Sequence, residues 1–153
     1  MVKINNKVWQ QELQLTDGRS VALKKLVNKY MVLYFYPRAN TPGCSTESQD
    51  FSTDYEVFKA LDCGILGVSM DSLKKQQNFK KKFSMPFELV ADVDEVLCQE
   101  FEVIKEKNMY GKKFMGIERS TFLVNELGEI IQSWRKVKVP GHVQDVLTAV
   151  KEL

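Results

Sequence analysis

Cys44 stands in the stretch Tyr36-Pro37-Arg38-Ala39-Asn40-Thr41-Pro42-Gly43-Cys44-Ser45-Thr46-Glu47. Thr41 suits a helix N-cap, and Pro42 suits the first helical position, where the N–H that proline lacks is orphaned in any case. Cys44 then falls in the first turn. There, free backbone N–H groups and the positive end of the helix dipole favour a thiolate over a thiol. A thiolate is the nucleophilic form, so the placement predicts a reactive sulfur; the plain alternative is one more small buried side chain at a helix start. Cys63 and Cys98 bring the total to three cysteines, an odd number at wide spacing. That pattern suits neither a disulfide framework nor a zinc site with close ligand pairs, so free thiols and no metal are expected.

A cysteine at a helix start needs a strand to deliver it and a helix to follow it. Met31 to Tyr36 is apolar at every position, as a strand covered on both faces must be, and Pro37 stops it. From Thr41 to about Leu61, the residues Phe51, Tyr55, Phe58 and Leu61 recur at spacings of three and four, which predicts a helix with one buried stripe. Ile65 to Met70 reads as the next buried strand. Asp71 or Ser72 caps a second helix that runs to about Phe83 and stops ahead of Pro86. Phe87 to Val90 is predicted as a short strand and Asp94 to Phe101 as another helix.

Near the start, alternation in Glu12 to Leu15 and Ser20 to Leu23 around Asp17-Gly18 predicts an N-terminal β-hairpin. Ser120 to Val124 and Glu129 to Trp134 predict a second hairpin, and Val143, Val146, Leu147 and Val150 give the last helix its apolar face. Strand and helix alternate through the middle of the chain. The expected class is therefore α/β, a central mixed β-sheet sandwiched by α-helices.

The spacing Pro37, Thr41, Cys44, with Glu47 three residues on, resembles the active-site signature of the peroxiredoxins. The fuller string Thr41 to Glu47, after a strand ending in Tyr36-Pro37, resembles the peroxiredoxin Q or bacterioferritin comigratory protein subfamily. The likeness continues through Gly67-Val68-Ser69-Met70-Asp71-Ser72 and Gly116-Ile117-Glu118-Arg119-Ser120-Thr121-Phe122-Leu123-Val124. It implies a thioredoxin-like fold and thiol-based reduction of hydrogen peroxide or alkyl hydroperoxides without a cofactor. It further implies that Cys44 attacks the peroxide and becomes a sulfenic acid. Thr41 and Arg119 bind sulfur and peroxide, Pro37 shields the thiolate, Gly43 donates a backbone N–H to the peroxide, and Glu47 orients its neighbours.

The chain departs from that subfamily in its second thiol. Many members carry a resolving cysteine five residues after the first, where this chain has Gln49, and the following helix, Ser72 to Phe83, has none. If the helix after Cys44 is continuous, a rise of ~1.5 Å per residue puts Cys63 roughly 28 Å away. A disulfide needs Cα atoms within about 7 Å. Cys98, flanked by Leu97 and Phe101, reads as a buried core thiol, with a resolving role as the lesser alternative. A one-cysteine cycle follows, served by an external thiol such as thioredoxin or glutaredoxin with glutathione. The rival classes are a non-catalytic interaction module or holdase on the same fold, and a disulfide oxidoreductase, which the lack of a Cys-x-x-Cys pair disfavours.

Composition narrows the remainder. At 153 residues, 44% apolar and 27% charged, the sequence can bury one core and is expected to form a single domain over 1–153. A net charge of +2 argues for no nucleic-acid or membrane partner, and Lys80-Lys81-Lys82 reads as a solvated helix face. The longest apolar run is six residues, against ~18 for a membrane-spanning helix. No secretory apolar run follows the first residues, so a cytoplasmic location is expected. The sole histidine, His142, is expected at the surface near a helix start. A monomer or weak homodimer is anticipated.

Overall fold

A computed structural model describes residues 2–153. Its centre is a sheet of six strands in the order β1-β10-β9-β4-β5-β6. These are β1 (Val2–Lys3), β4 (Tyr30–Phe35), β5 (Cys63–Ser69), β6 (Leu89–Ala91), β9 (Ser120–Asn125) and β10 (Glu129–Trp134). β4 pairs in parallel with β5, and β5 with β6, because helices α3 (Pro42–Ala60) and α4 (Leu73–Lys82) carry the chain back between them. β9 runs antiparallel to β4 and to β10, so the sheet is mixed, as the alternation of elements predicts.

The period of two in β4 divides the interior. Met31, Leu33 and Phe35 point into one core, with Trp9, Leu15, Leu97, Cys98 and Phe101. Val32 and Tyr34, with Tyr36 just beyond the strand, point into the other, with Cys44, Phe51, Phe58, Phe79 and Val146. Helices α3, α4 and α6 (His142–Lys151) cover the second face. The N-terminal elements and α5 (Val96–Glu100) cover the first.

The predicted N-terminal hairpin forms from β2 (Glu12–Gln14) and β3 (Ser20–Ala22), with Gly18 at φ +91° and Arg19 bound to the Asp17 carboxylate. Leu23 is not its last strand residue, however. It opens the short helix α2 (Leu23–Leu26), which turns the fully buried Leu23 into the core. The expected strand at Phe87 to Val90 begins two residues later and ends one residue later, as β6. The expected helix from Asp94 shrinks to five residues, because Asp92 takes the Leu97 and Cys98 N–H groups into its carboxylate. Ser72 is the α4 cap, accepting from Lys75 N–H. Sequence periodicity does not reveal β1, the turn of helix α1 (Asn6–Trp9) or a further hairpin of β7 (Ile104–Met109) and β8 (Lys112–Ile117). Among the described residues no helix is long and apolar enough to cross a membrane.

Candidate active site

The loop after β4 leaves the sheet at its carboxyl end. Asp71, just beyond the neighbouring β5, holds it there: one carboxylate oxygen accepts from Ala39 N–H at 2.7 Å and from Ser69 Oγ at 2.7 Å. Thr41 occupies the expected N-cap position with extended backbone, and Pro42 is the first helical residue. The Thr41 hydroxyl does not cap the helix, in contrast to the sequence expectation. It donates back to the Arg38 carbonyl at 3.0 Å, leaving its lone pairs to accept. Gly43 and Cys44, second and third in the helix, therefore keep N–H groups that the Thr41 side chain does not satisfy.

Arg119, in the connection between β8 and β9, reaches across to this helix start. Its Nη2 lies 3.2 Å from Cys44 Sγ and its Nη1 lies 2.7 Å from Glu47 Oε1. Cys44 and Glu47 are completely buried, and only 16% of the Arg119 side chain is exposed. Burial works against the guanidinium charge, yet the facing Glu47 and Cys44 outweigh it and hold Arg119 above the ordinary arginine range. For Glu47 burial wins over Arg119 and pushes the carboxyl up to about 7. Its Oε2 is buried without a hydrogen-bond partner among the described residues. Glu47 touches the guanidinium, and its link to the sulfur runs through Arg119.

Close packing sets this geometry. A Cβ added at Gly43 would sit 3.2 Å from Arg119 Nη2, so the glycine admits the guanidinium to the sulfur. One turn on, Ser48 Oγ and Tyr34 Oη are hydrogen-bonded at 2.8 Å, tying α3 to the sheet. The Tyr34 ring fits because Gly67 on β5 has no Cβ, which would fall 2.7 Å from the phenol. Of the residues the sequence singles out, the structure brings Cys44, Glu47, Gly43 and Arg119 into contact and sets Thr41 and Pro37 on the loop before them. Ser48, Tyr34 and Asp71, which brace this arrangement, are not among them; their signals are a hydroxyl inside an apolar strand and a carboxylate just after another.

The remaining thiols lie elsewhere. Cys98 is in the core on the opposite face of the sheet from Cys44. Cys63 pairs with Tyr30 at the start of β4, whereas Cys44 follows its end, and burial pushes the Cys63 thiol up to about 12. Burial raises Cys98 as well, as does the neighbouring Asp92. His142 is not a surface residue. It is buried, bonded through Nε2 to Thr121 Oγ1 at 2.8 Å and set edge-on to Phe51 and Trp134. Its burial lowers its pKa to about 4.

The β7–β8 hairpin walls a cavity of about 690 Å³ that it shares with Pro37, Arg38 and Thr41 of the loop leading to Cys44; Cys44 itself is buried and does not line it. The hairpin escapes sequence reading because charged residues fall on both of its faces. Its one signal is Tyr110-Gly111, both at positive φ, as a two-residue turn of the favoured type requires.

Residues 4–133 match the model of the AhpC/TSA family. The chain is 50% identical over 139 residues to peroxiredoxin Bcp of Xanthomonas campestris pv. campestris, covering 91% of this chain and 87% of that protein. It is 45% identical over 152 residues to peroxiredoxin Bcp of Bacillus subtilis, covering 99% and 97%. Among solved structures it superposes on the bacterioferritin comigratory protein of Xanthomonas campestris with a TM-score of 0.93 and 45% identity, covering 99% of this chain and 97% of that one. That structure comes from trapped intermediate and ligand complexes bearing on alkyl peroxide reduction.

Proposed function

The chain belongs to the AhpC/TSA family, as a peroxiredoxin of the Q or bacterioferritin comigratory type with a thioredoxin-like fold, and on that premise we propose that it is a thiol peroxidase whose reacting atom is Cys44 Sγ. The thiolate attacks the terminal oxygen of a hydroperoxide, ROOH. An S–O bond forms with the sulfur electron pair, the O–O bond breaks, and the departing alkoxide takes a proton to leave as ROH, or as water when R is hydrogen. Sulfur is oxidised by two electrons to the sulfenic acid.

Each neighbour has work in that step. Arg119 sets positive charge against the thiolate and against the negative charge that spreads over the breaking bond. The N–H groups of Gly43 and Cys44 donate to the peroxide oxygens, and the Thr41 hydroxyl, with its proton committed to Arg38, accepts from the peroxide O–H. Pro37 keeps water from the sulfur. Glu47 is a positioning residue: it fixes the guanidinium plane through Nη1 so that Nη2 faces the sulfur.

A second thiol must return Cys44 to its reduced state. Gln49 stands where an internal partner would be, Cys63 is at the far end of the sheet and Cys98 lies behind it. These positions support a one-cysteine cycle. An external thiol attacks the sulfenic sulfur, expels water and forms a mixed disulfide. A further thiol then releases Cys44, with thioredoxin or glutaredoxin and glutathione as the reductant classes.

The observation that carries this reading is the 3.2 Å approach of the Arg119 guanidinium to a buried sulfur in the first turn of α3. Stopped-flow reaction of the reduced protein with one equivalent of hydrogen peroxide, followed by intact mass, tests it. The expected product carries one added oxygen at Cys44, and Cys44→Ser abolishes turnover with dithiothreitol. Equally slow oxidation of all three thiols defeats the reading, and an internal disulfide to Cys98 or Cys63 defeats its one-cysteine part.

A further inference from the structure

Arg119 stands in a short connection whose backbone is held from both sides. The preceding Glu118 N–H donates to the Val103 carbonyl at 2.8 Å, and the Arg119 carbonyl accepts from Val137 N–H at 3.0 Å. Val137 belongs to the strap of residues 135–141 that joins β10 to α6. The far end of the strap is tied by His142, whose Nε2 is bonded to Thr121, two residues beyond Arg119. Val139 and Pro140 border the same recess as Pro42, Gly43 and Thr46, so the strap runs from the Arg119 backbone to the first turn of α3.

The near end is tied by Arg135. Its Nη2 donates to the Phe101 carbonyl at 2.8 Å and its Nη1 to the Glu102 carbonyl at 3.0 Å, acceptors that the end of α5 leaves without a helical partner. The guanidinium also lies over the Phe122 ring, 5.2 Å from its centre. With Val103 receiving Glu118, successive carbonyls at the end of α5 anchor both chains that meet at Arg119. The backbone bends to make these contacts. Lys136 has φ +50° and Glu102 φ +53°, left-handed angles that are costly for a residue with a side chain and persist where the surrounding bonds impose them. Any displacement of the Arg119 backbone is carried along its side chain to Nη2, where the sulfur lies at 3.2 Å and Gly43 packs closely.

We propose that Arg135 is a positioning residue of the peroxidase: its fork on the end of α5 holds the strap, the strap holds the Arg119 backbone, and the guanidinium is thereby kept on Cys44 Sγ. Arg135 itself touches neither the sulfur nor the peroxide. It is exposed, so its replacement opens no core, and its two carbonyl partners can turn to water. The inference rests on the peroxidase reading above.

Arg135→Met keeps a hydrocarbon stem over Phe122 and removes both donors. In stopped flow with hydrogen peroxide, the second-order rate of Cys44 oxidation is expected to fall about tenfold, because misplacing a catalytic group by ~1 Å costs up to about 100-fold. The thermal midpoint shows whether the variant is folded. A merely structural role would also slow the reaction, so the substitution is repeated in Arg119→Met. There it is expected to change the remaining rate by less than about twofold, since no guanidinium is left to misplace. A wild-type rate in Arg135→Met overturns the proposal, and so does an equal loss in both backgrounds. If Arg135→Met does not fold, Lys136→Val, which forces a β-branched side chain into the left-handed turn, goes through the same pair of measurements. The Arg119 Nε–H resonance of the reduced protein gives a readout that needs no turnover. It is expected to shift or broaden in Arg135→Met, and an unchanged resonance counts against the proposal. A wild type that fails to react with peroxide counts against the peroxidase reading alone, with this resonance still deciding the role of Arg135.

Discussion

At the scale of single residues, the site depends on one guanidinium serving two partners. Replacing Arg119 by Met removes the donor to sulfur and leaves Glu47 buried with no counter-charge. The expected loss is about 100-fold or more in the rate of peroxide oxidation, read by stopped flow. Arg119→Lys recovers little of it, because an ammonium cannot present two donors in a fixed plane. Gly43→Ala tests the same contact from the helix side: the methyl pushes on Nη2, and the rate falls while the fold persists. Glu47 also leaves a trace in stability. Its carboxyl is raised from 4.5 to about 7 on folding, so the folded state binds its proton more tightly than the unfolded chain. That contribution is fully present below pH 4.5 and is lost as pH rises through 7. Urea unfolding at pH 5 and pH 8 is expected to show a decline in the wild type that Glu47→Gln reduces; equal declines in the two proteins would remove this account of Glu47.

At the scale of elements, α3 is pinned where it starts and again nearly two turns later, by Asp71 through the preceding loop and by Tyr34 through Ser48. Gln49 lies on the exposed side of that helix, five residues from Cys44. Gln49→Cys places a second thiol out of bonding reach while the helix is intact. An internal disulfide is expected only after peroxide treatment and with loss of helix, detectable together by non-reducing mass and circular dichroism. A disulfide formed with no spectral change would contradict the helix position. The residues of α3 and β4 were legible in sequence because apolar spacing, a proline and a cap residue agreed on the boundaries. The β7–β8 hairpin was not, since it packs by its neighbours' needs and has no buried stripe of its own. Thr41 was read correctly for position and wrongly for bonding, because its hydroxyl chose the Arg38 carbonyl over the helix.

For the whole molecule, the sheet keeps two cores apart, and the face that carries Cys44 holds a second buried polar pair at its rim. His142 and Thr121 join the last helix to β9 among aromatic rings. Sequence spacing placed His142 at a helix start but gave no hint of its burial, which comes from the packing of α6 on α3. Because burial holds its pKa near 4, against 6.5 when free, its share of stability is complete above pH 6.5 and disappears as pH falls through about 4. Acid unfolding of His142→Leu is therefore expected to lose part of the wild-type slope between pH 6.5 and pH 4; an identical slope would assign that limb to other groups. The margins of the six-stranded sheet have their own consequence. β6 is three residues long and is bridged by Leu15, while β1 covers two residues of β10 just before a bulge interrupts that strand. Neither margin of that sheet offers a long straight row of vacant amides on which another polypeptide could template itself; the backbone edges open to such pairing are those of the six-residue strands β7 and β8, which pair only with each other among the described residues.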